Sequence, residues 1–265
     1  MERRDISFTS DNTGWRTSYK GKEKADIAPV PDTKQTVFFI EGIIGVGKSF
    51  ILDALRTKYR HALYIIPEPL DLWQNYYVDV DDGTNIFERY YKDPVRWSLT
   101  FQYVAMKTRY DYIVHALNVC KKEPWRVIVA ERSLIADSVF VEALHNEKKM
   151  DGLEFMIHSD HIEHYQNLIE DAVSSVYIYL KDDVDACLKR IKDRKRDGEE
   201  DITKEYLEQL DTIGDKVFEM ENNVQKIRQD VENFPMVLSK IEDILGLSAA
   251  GVWGDAGTGA HGTYP

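Results

Sequence analysis

The sequence predicts an α/β domain: a parallel sheet with helices on both faces. Three observations predict it. Short β-branched and aromatic runs alternate with longer stretches of helical period, the runs are apolar throughout as in strands covered on both faces, and a glycine-rich turn joins the first run to the first helical stretch. With 265 residues, 43% of them hydrophobic and 11% aromatic, the chain can bury one sizeable core.

Residues 1–34 are polar and carry Gly14, Gly21, Pro29 and Pro31 without a sustained period, so a flexible N-terminal arm is expected there. The domain proper is expected over 35–248, and the Gly- and Ala-rich 249–265 as a flexible tail. Val37–Glu41, Leu63–Ile66, Val127–Ala130 and Ser175–Leu180 read as strands. Helical period marks Ser49–Tyr59, Pro94–Lys121, Ser133–Lys148, Gly152–Asp171, Val184–Arg194 and Thr203–Gln229.

Composition excludes several classes. A net charge of −12 argues against a nucleic-acid polymer as partner, since binding one needs a broad positive face. Every apolar run falls far short of the roughly 18 residues of a membrane span, so no membrane association is expected. Cys120 and Cys187, the only cysteines, point to a reducing compartment, and the first 34 residues mix acids with bases unlike a presequence. A cytoplasmic or nuclear location is expected.

Gly42-Ile43-Ile44-Gly45-Val46-Gly47-Lys48-Ser49 fits G-x-x-x-x-G-K-S between a strand and a helix, the context that pattern requires. Glycines let the loop turn its N–H groups toward phosphates, and the helix N-terminus adds positive potential. In that role Lys48 contacts the β- and γ-phosphates of ATP and Ser49 ligates Mg²⁺.

Two acids follow strands on the same side of the sheet: Glu68, between Pro67 and Pro69, and Glu131, before Arg132. Phosphoryl transfer to a hydroxyl calls for a carboxylate that takes the proton, which suits Glu68, and one that serves the metal, which suits Glu131. Arg132 is placed to neutralise charge on the transferring group; ordinary surface pairing of Glu131 and Arg132 is the alternative.

Gln102, Ala105 and Arg109 share a helical face by their i, i+3, i+7 spacing. Either the face is solvated, which the residues alone favour, or Gln102 and Arg109 read a base edge with Ala105 leaving room for a ring. Lys189 to Arg196 concentrates six bases in eight residues. A nuclear-localisation patch, a solvated helix end and a lid closing over phosphates all fit it, and the phosphate loop favours the lid.

These pieces in this order resemble the deoxyribonucleoside kinase family, which covers deoxycytidine, deoxyguanosine, mitochondrial thymidine and insect deoxynucleoside kinases. The likeness runs from about Val37 to Leu210 and rests on the phosphate loop, Glu68-Pro69 with Trp73, Arg96-Trp97 with Phe101-Gln102, Glu131-Arg132-Ser133, the arginine segment, and Glu205 to Leu210. It implies the P-loop kinase three-layer fold: a five-stranded parallel sheet flanked by helices, with an arginine-rich lid over about 190–201. It implies that Glu68 is the base for the sugar 5′-hydroxyl, that Glu131 and Ser49 serve Mg²⁺, that Arg132 contacts the reacting centre, and that Arg190, Arg194 and Arg196 join the loop in binding ATP. It further implies that Gln102 pairs with the base and that Tyr91 with a lid acid, Glu199 or Glu200, reads the 3′-hydroxyl. Trp73, Phe101, Ala105, Arg109 and Asp137 then line the deoxynucleoside site; the last three match deoxycytidine and deoxyguanosine kinases, favouring deoxycytidine or purine deoxynucleosides. A homodimer is implied as well.

The chain departs from the family pattern in three places. Ile43 replaces the usual Asn, Ala136-Asp137-Ser138 replaces Ser-Asp-Arg, and the base-stacking aromatic aligns with Val141, one residue after Phe140. Two other readings stand beside this one. A nucleoside monophosphate kinase carries Arg before its Glu-Pro, where this chain has Pro67; a non-catalytic nucleotide-binding subunit typically loses the loop lysine or an acid, both kept here. His158, His161 and His164 with Glu163 lack a known metal-site order, Gly257–Gly262 is a chance G-x-G-x-x-G without strand or helix, and Asp211-Thr-Ile-Gly214 falls in a helical stretch.

Overall fold

The computed structural model describes residue 30 and residues 34–247, apart from 77, 80, 124, 125, 197 and 229–233. All but Val30 and Lys34 of the expected arm, the tail, and the 257–262 glycine pattern lie outside the described residues. Five parallel strands run β1 (Gln35–Glu41), β2 (Leu63–Ile66), β3 (Val127–Glu131), β4 (Val173–Lys181) and β5 (Val224–Arg228), in the spatial order β2-β3-β1-β4-β5. β1 is central, with Ile40 opposite Glu131 of β3 and Ile178 of β4, so the strand ends that carry Glu41 and Glu131 come out side by side.

The α-helices are α1 (Lys48–Lys58), α2 (Ile86–Lys92), α3 (Pro94–Lys122), α4 (Ile135–Asn146), α5 (Gly152–Ile169), α6 (Val184–Arg194), α7 (Lys204–Glu219) and α8 (Phe234–Ile244), and a π-helical turn, Leu72–Tyr76, lies between β2 and α2. Their ends are chemically marked. Asn85 and Glu88 form a reciprocal capping box on α2, Asp93 caps α3 ahead of Pro94, and Asp151 with Glu154 boxes α5.

Two expectations change. The helix expected to reach Gln229 ends at Glu219; Asn223 takes φ 59 and the chain returns as β5 along β4. Val224-Gln-Lys-Ile-Arg228 is an edge strand with only Ile227 buried, so its sequence lacks the apolar run that marks the inner strands. The helix expected from Ser133 starts at Ile135, because Arg132 adopts φ 68 before it.

The main core lies against the sheet, and a second apolar cluster joins Trp73, Phe87, Tyr90, Phe101, Ala105, Val141 and Leu144. Each large side chain buried there contributes about 1.5–3 kcal/mol by leaving water, which makes this cluster a rigid wall. Trp73 is fixed further by its indole N–H donating to Thr108 Oγ1 at 3.0 Å.

Candidate active site

The phosphate loop leaves β1 through Gly42, at φ 130, where a Cβ would stand 2.5 Å from the Leu180 carbonyl oxygen. Gly45, at φ 80, is equally confined, 2.5 Å from the carbonyl oxygen of Cys187. Only glycine satisfies both the backbone angle and the space at these two positions. The loop turns α1 so that Lys48 and Ser49 stand at its first turn.

Lys48 is buried and donates to the carbonyls of Gly42, at 3.2 Å, and Ile43, at 3.0 Å. Burial first, and then the Arg132 charge, lower its pKa to about 8. Ser49 Oγ sits 3.1 Å from Glu131 Oε2, joining the loop to the end of β3.

A cavity of about 290 Å³ opens over the C-terminal ends of β1, β2 and β3, near the lower end of small-molecule sites. Ile44, Gly45, Gly47, Lys48 and Ser49 line it on the loop side. Glu68, Glu131, Arg132 and Arg109 stand at its centre, with Trp73, Tyr91, Phe101, Gln102, Ala105, Asp137 and Phe140 around the far wall. Arg190, Arg194, Arg196 and Glu199 close the side that follows β4.

Four predicted positions fall elsewhere. Ile43, Val46 and Val141 are buried in the apolar clusters, and Gly42 lies beneath the loop, beside a much smaller cavity. Phe140, one residue from Val141, is the aromatic that lines the site, with the Arg132 guanidinium 4.7 Å from its ring centre.

The reading of Gln102 and Arg109 as a solvated face is overturned: both are 3% exposed, as is Ala105 between them. They face the cavity, not bulk water, and a periodicity argument cannot distinguish the two. Arg109 Nη1 donates to Asp137 Oδ1 at 2.6 Å, and its Nη2 lies 3.8 Å from Glu68. Arg132 Nε lies 3.4 Å from the same Glu68 oxygen.

Electrostatics divide the two central acids. Burial alone would raise Glu68, but the charges of Arg132, Arg109 and Lys48 outweigh it and hold the carboxyl below its ordinary value. Burial and then the Glu68 charge push Glu131 above its ordinary value. One acid is thus kept ionised, as a proton acceptor must be, while at the other the charges of Lys48 and Arg132 are outweighed by burial and by Glu68.

In the arginine segment, Arg194 and Arg196 both donate to Glu199, at 2.8 and 3.2 Å, and Glu199 is buried while Glu200 is exposed. Arg190 instead reaches back to Gly45 O at 2.7 Å and pairs with Asp182. Gly198, at φ 88, lies against the Tyr91 ring, where a Cβ would come within 2.6 Å of a ring carbon.

The cavity also takes in Phe50, Leu70, Phe87, Tyr90 and Tyr206, which the sequence reading missed. Tyr206 belongs to the Glu205–Leu210 stretch that carried the resemblance, and its hydroxyl with that of Gln102's neighbour Tyr90 forms a hydrogen bond. The three histidines of α5 do not converge: His158 is buried, whereas His161 and His164 pack on Tyr103 and Tyr165.

The sequence model of the family described as deoxynucleoside kinase matches residues 38–247. The Fowlpox virus (strain NVSL) protein named probable deoxycytidine kinase is 32% identical over 193 residues, covering 72% of this chain and 75% of its own. The Xenopus laevis mitochondrial deoxyguanosine kinase is 27% identical over 224 residues, covering 80% of this chain and 84% of its own. Among solved structures, the deoxyadenosine kinase from M. mycoides with dCMP and dCDP bound superimposes with a TM-score of 0.61 at 22% identity, covering 79% of this chain and 98% of that one, and so shares the fold. With the family matched across nearly all of the described residues, this chain belongs to the deoxynucleoside kinase family.

Proposed function

We propose that the chain transfers the γ-phosphate of ATP to the 5′-hydroxyl of a deoxynucleoside, deoxycytidine or a purine deoxynucleoside being favoured. The product is the 5′-monophosphate, a precursor for nucleotide salvage. The single observation that carries this reading is the placement of Glu68: an acid held ionised by Arg132 and Arg109, across the same cavity from Lys48 and Ser49. Glu68 takes the hydroxyl proton, Lys48 and the loop N–H groups bind the β- and γ-phosphates, and Arg132 offsets charge on the transferring group.

Gln102, Arg109 and Asp137 meet the base edge with Phe140 beside its ring, while Tyr91 and Glu199 read the sugar 3′-hydroxyl. Arg194 and Arg196 act from the lid. Cytosine, adenine and guanine each carry an exocyclic amino group that the Asp137 carboxylate can accept from, beside an acceptor for Arg109, whereas thymine has no amino group; the relatives named above for deoxycytidine and deoxyguanosine support this reading.

Mg²⁺ fits the residues present. Ser49 and Glu131 bring two oxygen donors within 3.1 Å of each other, and the raised Glu131 carboxyl is one that a divalent cation would stabilise in its charged form. Ser49 and Glu131 would hold the ion, which supplies charge neutralisation at the phosphates.

We assign the dimer partner to a second copy of the chain. The α5 face exposes Leu153, Met156, Ile157 and Leu168 next to Tyr103 of α3, an apolar surface a lone chain would leave in water. Leu153→Glu with Met156→Glu should convert the dimer to monomer in sedimentation. Among the described residues no helix is long and apolar enough to cross a membrane; cytoplasmic residence, with the nucleus as the alternative, rests on composition and is tested by fractionation.

ADP release, measured with each deoxynucleoside and each monophosphate for wild type and Glu68→Gln, tests the reaction. Turnover on deoxynucleosides that Glu68→Gln loses is expected. Turnover on monophosphates alone would replace the reading with a nucleoside monophosphate kinase, and none at all with a nucleotide-binding subunit.

A further inference from the structure

Glu41, the last residue of β1, takes no part in the reaction described above, yet it is 0% exposed and stands next to the phosphate loop. A carboxylate so placed is costly unless paired or hydrogen-bonded. One oxygen, Oε1, accepts the Ser133 N–H at 2.6 Å; the other is buried without a hydrogen bond. Burial, against the opposing effects of Ser133 and Arg132, lifts its pKa to about 7. Filling space does not account for the acid, because an apolar side chain of similar size would do that without burying a carboxylate; what only the acid supplies here is the acceptor for the Ser133 N–H.

What Glu41 holds is the turn that carries Arg132. That residue has φ 68, a left-handed conformation that a bulky side chain adopts only when its surroundings impose it. Two bonds impose it, both from the end of β1. Arg132 N–H donates to Ile40 O at 3.1 Å, and the next N–H, of Ser133, donates to the Glu41 carboxylate. From this backbone the guanidinium reaches Gly42 O at 3.0 Å and lies 3.4 Å from Glu68.

The geometry points to Glu41 as a positioning residue: by accepting the Ser133 N–H it locks Arg132 in its left-handed conformation and aims the guanidinium at Glu68 and the transferring phosphoryl group. The inference deepens the reading of Arg132 proposed above and depends on it. Glu41 itself touches neither substrate.

The test compares Glu41→Gln, which keeps an acceptor oxygen in place, with Glu41→Leu, which does not. Glu41→Leu should fold with a modestly lowered melting temperature, because the buried Ser133 N–H loses this acceptor, and lose about 10- to 100-fold in kcat, the size expected for a misplaced catalytic group, with KM for ATP and deoxynucleoside little changed. Glu41→Gln should stay within about threefold of wild type. In an Arg132→Ala background the Glu41→Leu loss should vanish, because Glu41 acts only through that side chain. Should Glu41→Leu not fold, Glu41→Met takes its place.

Wild-type kcat in Glu41→Leu, equal losses in Glu41→Gln and Glu41→Leu, or additive losses in the Arg132→Ala background would each overturn the inference. The NMR resonance of the Arg132 Nε–H reports the same contact without turnover. It should move to the free-arginine position in Glu41→Leu and hold in Glu41→Gln; no movement overturns the positioning role. A wild-type enzyme that phosphorylates no deoxynucleoside would overturn the reaction instead, leaving this resonance to decide on Glu41.

Discussion

The guanidinium of Arg109 on α3 meets the carboxylate of Asp137 on α4 at 2.6 Å, with both side chains buried and lining the cavity. Two charges on different helices are thereby fixed where a nucleobase edge would lie. Removing only Asp137 takes from the buried Arg109 its close partner and leaves it Glu68 at 3.8 Å, so Asp137→Ala should cost about 3 kcal/mol in urea unfolding, the low end for breaking a buried pair. Arg109→Met with Asp137→Ala should recover part of that loss and shift preference toward thymidine. An unchanged base ranking in the double variant would remove the pair from base recognition.

The same pair predicts a pH dependence. Burial raises the Asp137 pKa from 3.8 to about 6 even though Arg109 opposes it. Its charge is therefore present at pH 7 and lost as pH falls through about 6, so KM for the deoxynucleoside should rise over that interval. Stability responds with the opposite sign: between the unfolded value and about 6 the native state binds a proton that the unfolded chain does not, so this group favours folding more as pH falls. Initial-rate profiles from pH 5 to 8 for wild type and Asp137→Asn check it; the KM step should be absent from the variant.

Lys48→Ala should lower kcat/KM for ATP by about 10²-fold or more, because a preorganised cation at the transferring phosphate is lost. In the ligand-free enzyme Lys48 loses its proton as pH rises through about 8, so ATP binding should weaken over that range. Calorimetric titration at pH 7 and 9 measures it. Equal affinity at both would place Lys48 away from the phosphates.

Glu68→Gln should lower kcat by about 10²- to 10⁴-fold, the usual contribution of a general base, with ATP affinity retained. Nucleotide binding and turnover measured on one preparation separate the two effects. Lost ATP binding would mean that Glu68 shapes the donor site instead.

Gly198→Ala should raise KM for the deoxynucleoside more than KM for ATP. A Cβ at that position would meet the Tyr91 ring at 2.6 Å, and φ 88 disfavours any side chain, so the residue before Glu199 would be pushed off Tyr91. Comparing each deoxynucleoside with its 3′-deoxy analogue reads the effect directly. Discrimination between them should fall in the variant, and unchanged discrimination would detach this glycine from recognition of the sugar.

Most of the fold was legible because its signals are local. Apolar runs located the inner strands, helical period located α3 and α5, and the phosphate loop announced itself by spacing alone. β5 was not legible: its stability comes from pairing with β4, and its polar sequence carries no trace of that partner. For the same reason Val141 and Phe140 could not be separated by alignment to a pattern. One residue along α4 turns a side chain by about 100°, enough to move it from the cavity into the core.

What the sequence by itself determined is the chemistry on offer: a loop for phosphates, two acids at strand ends, a run of arginines. Only the tertiary structure decided how these groups behave. Glu68 and Glu131 are the same acid at equivalent places in the sheet, yet one is held ionised by Arg132 and Arg109 and the other is pushed toward its neutral form. Charge state depends on burial and on neighbours far away along the chain, and those exist only once β1, β3 and α3 have been brought together.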